Sequence, residues 1–324
     1  MVIIYSQTDS RIVSENLNLD TAPLLHKALW IDMISPSKEE EHIVEQLFKI
    51  EIPTKEEIEE IEPSSRLYIE NDAVYMTATM VAFSNLPEAK TDVVTFILTE
   101  KMLITLRYID LHAFNLFSAK LLRSKKKEFD AIVILIGLLD AAIDRLADIL
   151  EKISRKHDEI SHLIFHQKTN TPTGTGYKEI LQQIGVNGDL GTKTSESLMT
   201  FTRLISFWEQ TQAAEAAKGT RTFLTVIHKD IDALREHASF LSVKFNFLLD
   251  ATLGMINIEQ NSIIKIFSVA AVIFLPPTLI ASIYGMNFEH IPELRWEVGY
   301  PIALLLMSIS AWLPFRYFKK KKWL

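Results

Sequence analysis

Tyr284-Gly285-Met286-Asn287-Phe288 stands at the exit of a long apolar run, Ile266 to Ile283, and a short polar loop separates it from a second run, Val298 to Phe315. Neither run contains a charged residue. A transmembrane helix needs roughly 20 mainly apolar residues, so each run is long enough to cross a bilayer and the two together read as a hairpin. What such a hairpin does with Gly-Met-Asn at its turn is the question the rest of the chain must answer.

The 324 residues carry 48% hydrophobic side chains and a formal charge of -7. The apolar excess is concentrated in about the last sixty residues, and the region before them is charged and patterned like a globular domain. No cysteine occurs, which excludes disulfides, thiolate metal sites and cysteine nucleophiles. Met1 to Ser10 lacks a basic segment and a long enough apolar patch to read as a signal peptide. Arg316, Lys319, Lys320, Lys321 and Lys322 follow the second run, whereas the loop between the runs holds Glu289, Glu293 and Glu297 against Arg295. The positive-inside rule makes the basic tail cytoplasmic. With two spans both termini are then cytoplasmic, and Gly285-Met286-Asn287 faces outside.

Between Met1 and about Lys127, Val2–Tyr5, Ala28–Met33, Val74–Met80, Val93–Leu98 and Leu103–Leu106 read as strands. Ser37-Lys38-Glu39-Glu40 reads as the capping box of a helix through Phe48. This is an α/β domain of mixed order. The stretch from Phe129 to about Lys168 reads as a buried helix, because Asp140 and Asp144 interrupt its apolar run before a bilayer is crossed. Asp140, Asp144, Asp148 and Glu151 form one acidic stripe, a solvated face or a surface that attracts cations. Thr169 to Gly176 and Gly185 to Gly191 read as turns. Neither ends in the Gly-Lys-Ser/Thr of a phosphate loop. From Arg221 to Ile283 only Gly254 and Pro276-Pro277 interrupt a helical pattern. One helix of about 60 residues would be near 90 Å long, too long to bury itself in a small domain. Its Phe223, Val226, Ile227, Leu234, Phe240, Leu241, Val243, Phe247 and Leu248 are expected to pack against copies of the chain as a stalk.

Two spans enclose no polar path alone, so either the chain oligomerises around an axis or the spans anchor the preceding domain. Helical spacing back from Asn287 passes Thr278, Leu275, Ala271, Phe267, Ile264, Asn257 and Asp250. That row is polar at both ends and apolar between. A ring of such rows would place amides at the outer mouth, a hydrophobic constriction in the middle and carboxylates at the inner mouth, a cation path gated by dewetting. Ordinary helix packing would use the same row.

Ile283-Tyr284-Gly285-Met286-Asn287-Phe288, Ile291-Pro292-Glu293-Leu294-Arg295-Trp296, Gly299-Tyr300-Pro301 and the Lys-rich end, Phe318 to Leu324, together resemble the CorA family of magnesium transport proteins. Ile256–Asn261, Ile58–Glu62 with Ser65-Arg66, and the acidic helix around Asp148 resemble its enterobacterial type. The resemblance implies an α+β membrane protein of the bacterial inner membrane: a homopentameric funnel with a cytosolic α/β/α domain and a stalk helix running into the first, pore-lining span. The corresponding divisions are residues 1–128 for the α/β domain, 129–218 for acidic helices and 219–262 for the stalk. The first span is then 263–284, the periplasmic loop 285–297, the second span 298–317 and the basic tail 318–324. It also implies passive Mg2+ uptake driven by membrane potential, with Co2+ and Ni2+ as lesser substrates and no enzyme activity. Mg2+ is both transported and regulatory, and no nucleotide or organic cofactor is needed.

By the same resemblance Gly285, Met286 and Asn287 form the selectivity filter, with Glu289 and Glu293 raising cation concentration outside. Ile264, Phe267, Ala271 and Leu275 match the apolar gate and Asp250 the inner acidic ring. Glu60 matches an acidic regulatory position, where Asp is more usual in the family, and Asp230 and Asp232 lie near the stalk partner's place. The partners are copies of the chain, membrane lipid and divalent cations, with no nucleic acid; the basic cluster Arg123 to Lys127 is read as facing solvent or the membrane surface. Two rivals remain: a zinc-transporting relative using His162 and His166 beside His157, and a membrane-anchored scaffold or sensor without flux.

Overall fold

The computed structural model describes residues 1–8, 11–17, 22–60, 62–82, 89–124, 129–165, 174–211, 220–287, 292, 296–321 and 323. The Lys125–Lys127 part of the basic cluster, His166, the Thr169–Thr173 part of the first expected turn, Glu289 and Glu293 lie outside the described residues. The chain divides into two compact units, Met1–Thr171 with Lys178–Leu249, and Pro172–Tyr177 with Asp250–Leu324.

The first unit is built on a seven-stranded sheet in the order β2-β1-β3-β7-β6-β5-β4. Its strands are β1 (Val2–Thr8), β2 (Arg11–Asn16), β3 (Ala28–Ile34), β4 (Leu67–Glu70), β5 (Ala73–Ala82), β6 (Lys90–Leu98) and β7 (Leu103–Arg107). β3 and β7 pair in parallel and the other described ladders are antiparallel. All of β5 and β7 is buried, as expected where both faces of a sheet are covered. On one face Ile4, Ile31, Met33, Ile97 and Ile104 form a core with Val44 of α1 (Lys38–Phe48). The opposite face meets α4 (His112–Arg123), where Trp30 stacks on Tyr5 at 4.2 Å between ring centres and meets the rings of Phe114 and Phe117. This is the expected α/β/α layering. The Ser37–Glu40 capping box is formed, and Thr54 with Glu57 makes a second on α2 (Lys55–Glu59). A single-turn helix, α3 (Pro63–Arg66), leads into β4.

A buried ion pair ties the middle of the sheet together. Arg107 donates to Asp32 from Nη2 at 2.8 Å and from Nε at 3.1 Å. Thr105 Oγ1 donates to Asp32 Oδ1 at 2.8 Å, and Trp30 Nε1 donates to Thr105 at 3.0 Å. Arg107 Nη1 donates to the Ile109 carbonyl at 2.8 Å, and the guanidinium lies over the Phe114 ring. Every charged atom in the network therefore has a partner, the condition on which a buried charge is tolerated.

The helix α5 (Ala131–Phe165) buries Ile134, Leu138, Ala142, Leu146, Ile149 and Ile153 and exposes Asp140, Asp144, Asp148 and Glu151. Gly137 sits where a Cβ would collide with the Phe117 ring, so α4 and α5 approach closely only because that position is glycine. The helix α6 (Gly174–Glu209) corrects the expected break at Gly185–Gly191: it runs through all three glycines without interruption. Ile180, Ile184, Leu190, Thr194, Leu198, Phe201, Ile205 and Trp208 make one buried stripe across that stretch. Burial of the stripe offsets the helix cost of about 1 kcal/mol per glycine.

The longest element is α7, 65 residues from Thr220 to Tyr284, continuous through Gly254 and Pro276-Pro277. Within the first unit Leu224, Ile227, Ile231, Ala238, Leu241, Phe245 and Leu248 are buried, at alternating steps of about three and four residues. The expectation that this set packs between copies is therefore corrected for Ile227, Leu241 and Leu248, which are covered by their own chain. Phe223, Val226, Phe240, Val243 and Phe247 remain exposed. In the second unit α8 (Gly299–Lys320) follows the Gly-Met-Asn turn, and both it and α7 are long and apolar enough to cross a membrane.

Candidate functional site

The expected conduction row is a continuous exposed face of α7. Asp250, Asn257, Ile264, Phe267, Ala271, Leu275 and Thr278 are all exposed in the single chain, Phe267 by 72% and Leu275 by 65%. At roughly 100° per residue they fall within about a quarter to a third of the helix circumference. Val269, Ile273, Pro276, Ile280 and Tyr284 lie on the opposite side and are buried or half-buried. On α8 the buried or half-buried positions are Gly299, Ala303, Met307, Ser310, Ala311, Pro314 and Phe318, which share one side of the helix. The hairpin thus closes along one side of α7, and the row faces away from the second span. Apolar side chains so exposed need either lipid or another protein surface.

Within the first unit Phe240, Val243 and Phe247 of α7 are also exposed, in the three-four alternation of a coiled coil. The apolar residues of the expected stalk thus divide into this exposed set and a buried set with Ile227, Leu241 and Leu248. Both sets repeat at sevens, Phe240 and Phe247 in one and Leu241 and Leu248 in the other, so spacing alone does not separate them.

Asn287 is exposed three residues past the end of α7. The Gly285 N–H donates to the Ala281 carbonyl at 2.9 Å and the Met286 N–H to that of Ile283 at 3.3 Å. These bonds satisfy part of the helix C-terminus and hold the following turn close to the helix end. A Cβ on Gly285 would meet the Ala281 oxygen at 3.1 Å, so glycine permits the tight exit. Met286 is 48% exposed. Thr278 Oγ1 donates to the Phe274 carbonyl at 2.7 Å, beside the prolines that remove two helix donors.

The regulatory candidates belong to different elements, α2 and α7. Glu60 caps the C-terminus of α2, exposed, its carbonyl accepting from Arg66 Nε at 2.6 Å. Asp230 and Asp232, two residues apart, point to nearly opposite sides of α7, and Asp232 pairs with Arg235 at 3.8 Å. Asp230 instead joins Asp140 and Asp144 of α5. Burial first, and then the Asp144 charge with a smaller contribution from Asp230, raises the Asp140 carboxyl above the usual range, partly offset by Lys120. Sequence alone did not connect Asp230 to that stripe, because their proximity depends on how α5 and α7 pack. Among the described residues no group of three or more His, Asp or Glu side chains is arranged to hold a metal. His157 is buried, with Nδ1 3.1 Å from Asp158 Oδ1, and His162 is exposed.

Comparison with known proteins covers nearly the whole chain. The family model described as CorA-like Mg2+ transporter protein matches residues 26–320. A protein of Wolinella succinogenes named Magnesium transport protein CorA is 35% identical over 329 residues, 100% of both chains. Its namesake in Escherichia coli strain K12 is 36% identical over 310 residues, 95% of this chain and 96% of that protein. Among solved structures, the complete CorA magnesium transporter of Methanocaldococcus jannaschii aligns with a TM-score of 0.75 at 19% identity, over 100% of this chain and 99% of that one. At that identity the likeness speaks for the fold.

Proposed function

The chain belongs to the CorA-like Mg2+ transporter family, and from that premise we propose that it forms a homopentameric channel conducting Mg2+ into the cell, with Co2+ and Ni2+ as lesser substrates. The observation that carries this reading is the exposed row Asp250–Thr278, turned away from the second span. Copies meeting along α7 would bring one row each around a common axis, in the inner membrane with both termini cytoplasmic.

Along such an axis the ion first meets a ring of Asn287 carboxamides. Mg2+ gives up its water reluctantly, so neutral amide oxygens suit a hydrated ion by accepting from its waters. Glu289 and Glu293 would concentrate cations at that mouth. Leu275, Ala271, Phe267 and Ile264 then form an apolar constriction that closes by dewetting, and Asp250 receives the ion at the inner end. Inward movement of a divalent ion releases about 4.6 kcal/mol per 100 mV, twice the single-charge value, so no nucleotide is required. A driving force of that size needs a brake. Cytosolic Mg2+ bound between copies, with Glu60 and Asp230 or Asp232 as ligands, would favour the closed state and leave as the internal concentration falls.

Full-length protein in proteoliposomes is expected to take up Mg2+ when the interior is made negative, and Co2+ and Ni2+ more slowly. A preference for Zn2+ would support the zinc-transporting reading instead, and a stable pentamer without flux would support a scaffold. The brake has its own test. Glu60→Gln combined with Asp230→Asn should weaken the protection that Mg2+ gives α7 against limited proteolysis, and undiminished protection would remove both residues from the regulatory site.

A further inference from the structure

The outward face of α8 carries a ladder of cations laid over aromatic rings. Trp312, Phe315, Arg316 and Lys319 are spaced by three and four residues and so share one side of the helix. The Arg316 guanidinium lies 5.2 Å from the Trp312 ring centre, and Lys319 Nζ lies 6.0 Å from that of Phe315. All four residues are exposed. This side is turned well away from the covered stripe Gly299–Phe318 that faces α7. It is therefore turned toward whatever surrounds the hairpin.

Neither span supplies the counter-charge for this face. No Asp or Glu occurs from Val298 to Leu324 or from Gln260 to Phe288, whereas Lys265, Arg316 and Lys319 to Lys322 do. Among the described residues neither Arg316 nor Lys319 has a carboxylate partner. Arginine presents a planar fork that matches phosphate oxygens, and tryptophan favours the boundary between acyl chains and headgroups.

We propose that this face is a binding site for an anionic phospholipid, its phosphate held by Arg316 and Lys319 and its glycerol and upper acyl chains laid along Trp312 and Phe315. The site rests on the reading that α8 spans the membrane with its basic end at the cytoplasmic leaflet. It is distinct from the proposed ion path, which lies on the far side of α7. Lys320 and Lys321 lie on other sides of the helix and contribute only to the general positive field. Lys265, whose Nζ lies 5.5 Å from the Trp323 ring centre, belongs to the inner side of the hairpin.

The test uses full-length protein carrying Trp296→Phe and Trp323→Phe, reconstituted in phosphatidylcholine bilayers with a small fraction of brominated lipid. Trp312 is then the tryptophan of the membrane region, because Trp30 and Trp208 are fully buried in the first unit. Each cation at a headgroup contributes on the order of a fivefold preference. Brominated phosphatidylglycerol is therefore expected to quench Trp312 with about tenfold or higher relative affinity than brominated phosphatidylcholine. Arg316→Gln with Lys319→Gln should lower that preference by at least about fivefold, whereas Lys320→Gln with Lys321→Gln should leave most of it. Equal quenching by the two lipids, or equal loss in the two paired variants, would overturn the site while leaving the membrane span intact. Competition by millimolar inorganic phosphate would overturn the lipid as its occupant. Failure of either lipid to quench would overturn the membrane reading on which the site depends.

Discussion

Asn287→Ala is expected to lower Mg2+ uptake by one to two orders of magnitude in proteoliposomes while leaving the assembly and its melting temperature unchanged. Asn287 is exposed and makes no hydrogen bond among the described residues, and replacement of such a residue usually changes stability by no more than about 0.5 kcal/mol. Its effect on conduction is of another size. A hydrogen bond involving a charged group contributes about 1.5–3 kcal/mol, and about 1.36 kcal/mol corresponds to tenfold in rate. Asn287→Asp would keep an oxygen at each position but add charge, holding the ion more tightly where conduction requires release. It is expected to slow uptake while lowering the Mg2+ concentration that half-saturates it. Normal flux through Asn287→Ala would place selectivity elsewhere.

The second large effect concerns folding. Asp32→Ala leaves the Arg107 guanidinium buried without its carboxylate and is expected to destabilise the α/β domain by about 3–5 kcal/mol, read as loss of the cooperative thermal transition of that domain in the full-length protein. Asp32→Leu combined with Arg107→Leu removes both charges together, and buried pairs replaced by apolar residues are often neutral or stabilising. The double variant should therefore melt well above either single variant. Equal melting of the single and double variants would mean that packing around Trp30 and Phe114, rather than the uncompensated charge, sets the loss. Neither substitution touches the row on α7, so any protein that still assembles should conduct.

Much of the fold is legible in the sequence where a local signal and burial agree. Val74–Met80 reads as a strand because an apolar, β-branched run suits a sheet covered on both faces, and it lies within β5. Ser37 and Glu40 read as a capping box because their reciprocal bonds depend only on spacing. The strands β2 and β4 escape notice for the opposite reason. They lie at the sheet edges, with Ile12 the only buried side chain of β2 and none fully buried in β4, so neither carries a distinctive pattern. The glycines of α6 mislead because their local cost is outweighed by a buried stripe that becomes visible only over many turns.

The candidate site divides in the same way. The row from Asp250 to Thr278 follows from helical spacing alone, and its exposure on the side away from α8 matches a surface awaiting partners. The acidic meeting of Asp140, Asp144 and Asp230 depends on how two helices far apart in sequence pack, and no spacing rule reaches across them. Its pH dependence follows from the raised Asp140 carboxyl. In the folded protein the cost of burying the Asp140 charge, together with its repulsion by Asp144 and Asp230, is fully present above that raised value and is lost as the pH falls through it, so this group opposes folding at neutral pH and ceases to do so in acid.

The most direct test of the central claim uses the absence of cysteine from the chain. Single cysteines are introduced at Asn257, Ala271, Leu275 and Thr278 on the row, and at Leu305 and Ile309 on exposed positions of α8, in otherwise unchanged protein. Mg2+ uptake is then measured before and after a charged thiol reagent is added on both sides. Modification at the row positions is expected to block uptake, and modification on α8 to leave it unchanged. Block from α8 with free passage past a modified row would contradict a pore lined by α7.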